Sequence, residues 1–387
     1  MEPQNQEELK MVNDFDKMKL KDKLLRGIYA YGFQKPSLIQ SRAIIPITEG
    51  KDIVAQSQSG TGKTGTFVIS SLQRIDENIS GCQCIIISPT RELAYQILNV
   101  MKHIGQYTKI EGVLCVGGTK LEECKKRLSV KKPYIAIGTP GRIIDVITRR
   151  WLRVEKLKMM VLDEADEMLR RSFKEQIRTI IQQIPKETQI CLFSATMPKE
   201  VLEITEHFLQ NPIFTLIEKE NLTLDGITQF YINVGVERYK FDTLCDIYKI
   251  ISMGQSMIYV NSKNTAKWLQ EQLQLEHFTV SVIHSDMKSS ERTEIMKDFR
   301  KGKTRILLST DLLARGIDIQ EVSIVINYNL PYDRECYIHR IGRSGRFGRK
   351  GVAINLVTNR TMRFIDDLSN YYKTTIEPMP ENISSFL

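Results

Sequence analysis

Along the chain, short unbroken apolar runs recur, and each ends in small, polar or charged residues. In the first half these runs fall at 53–55, 84–88, 113–116, 134–138, 159–162 and 190–194. Runs of this length with no polar interruption suit strands covered on both faces in a parallel sheet. Amphipathic stretches follow most of them and predict helices from about Lys63, at 92–101 and at 142–149. Strand, polar tip and helix in repetition predict a doubly wound parallel α/β sheet. Between 211 and 227 the apolar pattern loosens around Asn211-Pro212, the polar run Glu218-Lys219-Glu220-Asn221, and Asp225-Gly226. The pattern then resumes, with strands predicted at 257–260, 280–283, 306–309, 324–327 and 352–357 and helices at 265–275, 290–300 and 334–340. The expected organisation is an N-terminal lead and flank (1–31), a first α/β domain (32–212), a flexible linker (213–226) and a second α/β domain (227–387).

Composition adds little to the fold but narrows the function. A chain of 387 residues with 42% hydrophobic and 26% charged residues is ordinary globular material. No apolar run reaches the roughly 18 residues of a membrane span, and the start MEPQNQEELK is polar, so an intracellular protein without a membrane partner is expected. A net charge of +9 favours a polyanionic partner such as nucleic acid. The seven cysteines lack zinc-finger spacing and read as reduced, mostly buried thiols.

The strand tips hold the chemistry. After the run 159–162 come Asp163, Glu164 and Asp166, three carboxylates in four positions. Ligands of open parallel sheets lie beyond the carboxyl ends of the strands, and acids crowded there repel one another unless a cation sits among them. Alone, the cluster reads equally as an acidic helix start. The stretch Asp52 to Thr64 decides between the two. It runs from a short strand through Ser57-Gln58-Ser59-Gly60-Thr61 to Gly62-Lys63-Thr64, a phosphate loop with Ser57 in place of the first glycine. Backbone N–H groups at the helix start cradle phosphates, Lys63 reaches the β- and γ-phosphates of ATP, and Thr64 with Asp163 suits magnesium. Gln40 carries a donor and an acceptor that match adenine, and Phe33 offers a stacking face; by themselves they read better as a surface amide and a core ring. The remaining tips, Pro89-Thr90-Arg91, Gly117-Gly118, Thr139 to Arg142 and Ser194 to Thr196, share the same sheet edge as Lys63 and Asp163. Their small residues and arginines suit phosphate contacts. In Tyr337 to Gly351, Arg343 and Arg346 share a helical face, the spacing of arginine fingers that act when two domains close.

In this order these motifs resemble the DEAD-box RNA helicases, from Phe15 almost to the C-terminus. Stretches such as DEADEML, KFDTLCDIY and YIHRIGRSGRFGRKG are similar to the translation initiation factor 4A branch, which includes a nuclear exon-junction member. The resemblance implies two tandem RecA-like domains. It also implies an RNA-stimulated ATPase that clamps single-stranded RNA and pries short duplexes apart. By the same resemblance Phe15, Phe33, Lys35 and Gln40 recognise adenine, 57–64 binds the phosphates, and Asp163 holds magnesium. Glu164 is then the general base, Asp318 touches the ribose, and Arg343 and Arg346 are the fingers. Asp166, Ser194, Thr196 and His339 couple the sites. Pro89, Thr90, Arg91, Gly117, Gly118, Thr139, Arg142, Arg292 and Thr310 line the RNA. Ser57, Ser262 and Ser285 depart from the branch pattern without removing a catalytic group.

Branch signals conflict. Gln56 to Ser59 and Ser344 look nuclear, whereas Leu312 to Asp318 and Phe347 look cytoplasmic. The reading taken is a cytoplasmic, monomeric translation-initiation helicase acting on mRNA with scaffold and activator proteins. Its alternative is a nuclear exon-junction clamp with suppressed hydrolysis. A DNA translocase fails on the Gln segment and on the acid cluster. A small-molecule kinase leaves the second domain and its arginines unexplained.

Overall fold

The computed structural model describes residues 11–57, 60–169, 173–215, 227–251, 254–311, 322–344, 351–380 and 382–383. The chain divides into two compact units, Met1–Ile217 and Glu218–Leu387.

The first unit is built on β1 (Ile53–Gln56), β2 (Cys84–Ile87), β3 (Gly112–Cys115), β4 (Ile135–Gly138), β5 (Met159–Asp163), β6 (Gln189–Ser194) and β7 (Ile213–Thr215). Among the described residues they form one sheet in the order β3-β4-β2-β5-β6-β1-β7, parallel at every pairing. The unbroken apolar runs have a simple cause. Side chains of a strand alternate between faces, and both faces are covered. Ile53, Ala55, Ile86, Met159 and Val161 enter one core, while Val54, Ile85, Ile87, Met160 and Leu162 enter the other.

One difference from the expected organisation concerns the first unit's far margin. Residues 213–215, assigned to the linker, form β7 beside β1. Asp52 fixes this edge: its carboxylate accepts from Ile190 N at 2.8 Å and Gln210 N at 2.7 Å, and its carbonyl accepts from Ile213 N at 2.8 Å. From Phe15 onward the N-terminal flank packs onto the first core. A 3-10 turn (Phe15–Met18) and a helix (Asp22–Ala30) bury Phe15, Leu24 and Ile28 in the first core. Gly27 makes that approach possible, since a Cβ there would lie 1.8 Å from Ile104 O. The helices Leu121–Lys131, Lys174–Gln183 and Lys199–Phe208 also lie between or beside the strands of this unit.

The second unit repeats the plan with β8 (Ile227–Asn233), β9 (Gln255–Tyr259), β10 (Val280–Ile283), β11 (Ile306–Ser309), β12 (Val322–Asn327), β13 (Gly351–Val357) and β14 (Glu377–Pro378). Their order is β10-β11-β9-β12-β13-β8-β14, again parallel throughout. Ile258, Val260 and Leu308 pack on one face, and Met257, Tyr259 and Leu307 on the other. β8 went unanticipated because its sequence, ITQFYIN, is half polar and only partly buried. No helix among the described residues is long and apolar enough to cross a membrane.

Candidate active site and nucleic-acid interface

β1 delivers the chain to the sheet edge, where Ser57 N donates to Ser194 O at 3.0 Å. The turn back into the helix Lys63–Arg74 needs left-handed backbone at Gly60 (φ 85°) and Gly62 (φ 106°), which glycine adopts without strain. Ser57 Oγ hydrogen-bonds Thr61 Oγ1 across the loop, and Ser57 itself needs no left-handed backbone, so serine is tolerated where the general pattern has its first glycine. Gln58 and Ser59 lie outside the described residues. Lys63 starts the helix and Thr64 follows on its first turn, half-buried.

The adenine candidates lean on this loop. Gln40 Oε1 accepts from Ser37 N at 2.9 Å, and its Nε2 donates to Gly62 O at 3.3 Å. A Cβ at Gly65 would stand 2.7 Å from Gln40 Nε2 and 2.9 Å from Phe33 Cε2. The amide and the ring therefore press directly on the phosphate-loop helix. Gln40 uses one donor and one acceptor here; an amide carries a second of each. Phe15 is different from expectation. It is fully buried and stacks on Phe33 with centroids 6.4 Å apart, so it backs the ring and offers no face to a base. Lys35 is exposed.

The acids arrive on β5, which ends at Asp163. Asp163 Oδ1 accepts from Glu164 N at 3.1 Å. Glu164 itself sits at φ 54°, a strained conformation for a residue with a side chain and of the kind that clusters at functional sites. Burial, then the neighbouring Glu164 charge, pushes the Asp163 carboxyl up to about 7; Lys63 acts in the opposite direction. Lys63 Nζ is buried, makes no hydrogen bond among the described residues, and lies 3.7 Å from Glu164 Oε1. A buried ammonium without hydrogen-bonding partners and a buried carboxyl that resists ionisation are what a magnesium–triphosphate group would satisfy together. The donor set therefore fits that group. Asp166 faces the next strand: its N donates to Ser194 Oγ at 3.3 Å, and its Oδ2 accepts from Thr196 Oγ1 at 2.6 Å. The three predicted coupling residues of this unit thus form one hydrogen-bonded cluster.

The neighbouring tips form a continuous edge because β2, β4 and β3 are adjacent. Thr90, after the buried Pro89, caps the helix Arg91–Ile104 through Leu93 N at 3.3 Å. The Arg91 guanidinium lies over the Gly117-Gly118 turn, and a Cβ at Gly118 would meet its Nη1 at 1.9 Å. Thr139 precedes the helix Pro140–Thr148, from which Arg142 donates to Thr119 Oγ1 at 3.1 Å and Thr119 O at 3.0 Å. Thr119 is thus the unpredicted anchor of this tip.

In the second unit the organising residue is Arg340, which the sequence showed only as one basic residue among several. It is fully buried and donates to Asp311 Oδ1 (2.6 Å), Asn327 Oδ1 (3.2 Å), Asn329 O (2.7 Å) and Asn261 Oδ1 (2.8 Å). One guanidinium so fastens the tips of β9, β11 and β12. Thr310 follows β11, half-buried, with its carbonyl accepting from Ser309 Oγ at 2.6 Å. Arg343 Nε donates to His339 O at 3.1 Å. Arg292, expected along RNA, lies in the helix Ser289–Arg300 and is only 7% exposed. Asp318 and Arg346 lie outside the described residues.

A phosphate loop, an acid pair and arginine-bearing tips on tandem parallel sheets define a nucleotide-driven helicase. Residues 37–204 match the DEAD/DEAH box helicase family, and residues 239–348 match the helicase conserved C-terminal domain. The chain is 53% identical to the ATP-dependent RNA helicase eIF4A of Neosartorya fischeri over 97% of its length and 94% of that relative's. It is 54% identical to the protein of the same name in Aspergillus fumigatus, over 97% and 92%. The S. cerevisiae Dbp5 structure bound to RNA and ADP BeF3 is similar with TM-score 0.90 and 37% identity, covering 97% of each chain. The chain belongs to the DEAD-box helicases, in their eIF4A-like branch of ATP-dependent RNA helicases. The exon-junction alternative is not favoured by these names.

Proposed function

We propose that this chain is a translation-initiation helicase that uses ATP and magnesium to grip and locally open mRNA. The observation that carries the reading is the buried trio Lys63, Asp163 and Glu164 at the carboxyl edge of the first sheet. Lys63 would bind the terminal phosphates of the ATP substrate, with 57–64 donating from its backbone. Phe33, Lys35 and Gln40 would hold the adenine. Thr64 and Asp163 would hold magnesium, which when bound neutralises the phosphate oxygens. Glu164 would take the proton of the attacking water as the bond to the γ-phosphorus forms and the bond to ADP breaks. Asp318, Arg343 and Arg346 would come from the second domain, with His339 beside them. For these the support is motif order and family membership.

Single-stranded RNA would run along Pro89, Thr90, Arg91, Gly117, Gly118, Thr139 and Arg142 in the first domain and Thr310 in the second. Contacts of this kind reach phosphate and sugar, so sequence preference is expected to be slight. Arg292 would join Thr310 along the RNA in the second domain. Domain limits of 32–212 and 227–387 would be adjusted to bring Phe15–Met18 and β7 into the first domain. Scaffold and activator proteins of initiation would be its partners, and it would act as a cytoplasmic monomer; the relatives' eIF4A name supports the RNA helicase role on which this extension rests. A short RNA duplex with a single-stranded overhang tests the reading. ATP should separate its strands and a non-hydrolysable analogue should not sustain turnover. Strand separation that ignores ATP would overturn it.

A further inference from the structure

Two cysteines sit beneath the RNA edge of the first unit. Cys115 is the last residue of β3, and Cys124 lies in the helix Leu121–Lys131 that follows. Both are buried, and their sulfurs share a hydrogen bond at 4.0 Å. The segment 116–123 between them carries Gly117, Gly118 and the anchor Thr119. Arg142, which grips Thr119 twice, also reaches the Cys124 sulfur.

We propose that a peroxide joins Cys115 and Cys124 in a disulfide that weakens RNA binding by the first unit. The RNA half of this rests on the reading of Gly117, Gly118 and Arg142 as RNA contacts. The chemistry balances. Cys124 thiolate attacks the peroxide oxygen, becoming a sulfenic acid as hydroxide leaves. The Cys115 sulfur then attacks Cys124, the S–S bond forms, and the sulfenic oxygen leaves as water with the Cys115 proton. Two thiols are oxidised and one peroxide is reduced to two waters. Selectivity has a physical basis. The Cys115 hydrogen bond and Arg142 lower the Cys124 thiol against the effect of its burial, whereas burial pushes Cys82 and Cys84 up to about 12 and Cys191 well above its ordinary value. Only a thiolate is the nucleophile.

Bond formation draws the sulfurs from 4.0 Å to roughly 2.05 Å. Cys115 is held in register opposite Gly138 of β4, where even a Cβ on Gly138 would lie 2.0 Å from Cys115 O. The movement therefore falls on the first turns of the helix and on 116–123. Arg142 at the same time loses an anionic sulfur beside it. Both effects displace the tip that presents Gly117 and Gly118.

The test uses the full reduced chain, hydrogen peroxide and a fluorescent single-stranded RNA, with a non-hydrolysable ATP analogue present. Peptide mapping should find Cys115 linked to Cys124. RNA affinity should fall about tenfold, the scale of one misplaced charge-assisted contact, and dithiothreitol should restore it. Cys124→Ser and Cys115→Ala should each abolish the response; the wild-type map and its reversal decide the matter if either variant folds poorly. Oxidation of other thiols without the linked peptide overturns the proposal. So does a linked peptide with unchanged RNA affinity. A reduced chain that binds no RNA overturns the functional reading and the RNA half with it, while the map still decides the disulfide.

Discussion

Arg340 offers the sharpest energetic test of the second unit. Arg340→Ala removes a fully buried guanidinium with four acceptors drawn from three strand tips. A hydrogen bond to a charged group contributes about 1.5–3 kcal/mol, but these four share one cation and do not add. The Asp311 side chain is 45% exposed, so water reaches it after the change and its share is small. Asn327 has no such relief, being fully buried. Its amide nitrogen still donates to Asn355 Oδ1 at 2.9 Å, but its oxygen loses the guanidinium. Leaving a buried neutral acceptor unpaired costs about 1–3 kcal/mol, and the second unit should lose about that much. Arg340→Lys keeps the charge but not the planar fork, and about half of the loss is expected. The assay is urea unfolding followed by tryptophan fluorescence. The chain has two tryptophans, so a Trp151→Phe background leaves Trp268, packed 5.8 Å from Phe241, to report on the second unit. A shift under about 0.5 kcal/mol for Arg340→Ala would refute the reasoning, because it would mean that the network is satisfied without its cation.

Asp163 predicts a pH effect. Its folded pKa is raised to about 7, so the native state holds an extra proton between roughly 3.9 and 7, and the associated stability is lost as pH rises through 7. Metal-free Asp163→Asn should lack this loss, gaining up to about 4 kcal/mol over wild type at pH 8 and little at pH 4, as read by denaturant titration at both pH values. Gly118→Ala must place a side chain at φ 73° and displace Arg91; RNA affinity should drop and its salt dependence flatten by about one contact, while ATP binding measured by a fluorescent nucleotide holds. Gly27→Ala would drive a Cβ into the Ile104 carbonyl, so the first unit should lose on the order of 2 kcal/mol or more in thermal unfolding, with the active-site residues untouched.

Residues that reveal themselves by pattern were legible, and residues defined by their surroundings were not. Met159 to Leu162 announce β5 because both faces of that strand are covered, and the change to Asp163 marks the sheet edge. Lys63 and Asp163 were readable as a pair, although about 100 residues apart, because phosphate and metal chemistry requires both types at strand tips. β7 was not readable: only three residues long, it is ordered by Asp52, a partner far earlier in the chain. Nor was the burial of Phe15, since an aromatic before an amphipathic helix looks alike whether it meets a base or a core. Arg340 is the clearest case. In HRIGRSGR it resembles a solvated basic face, and its acceptors come from 261, 311, 327 and 329, which only the folded sheet assembles.

The most direct measurement is steady-state ATP hydrolysis with single-stranded RNA, with single-stranded DNA and with neither, for wild type and Glu164→Gln. If the buried trio at the carboxyl edge of the first sheet drives an RNA helicase, RNA stimulates turnover, DNA does not reproduce it, and Glu164→Gln reduces it by about 100-fold or more while ATP still binds. Equal stimulation by DNA, or full turnover in Glu164→Gln, would contradict it.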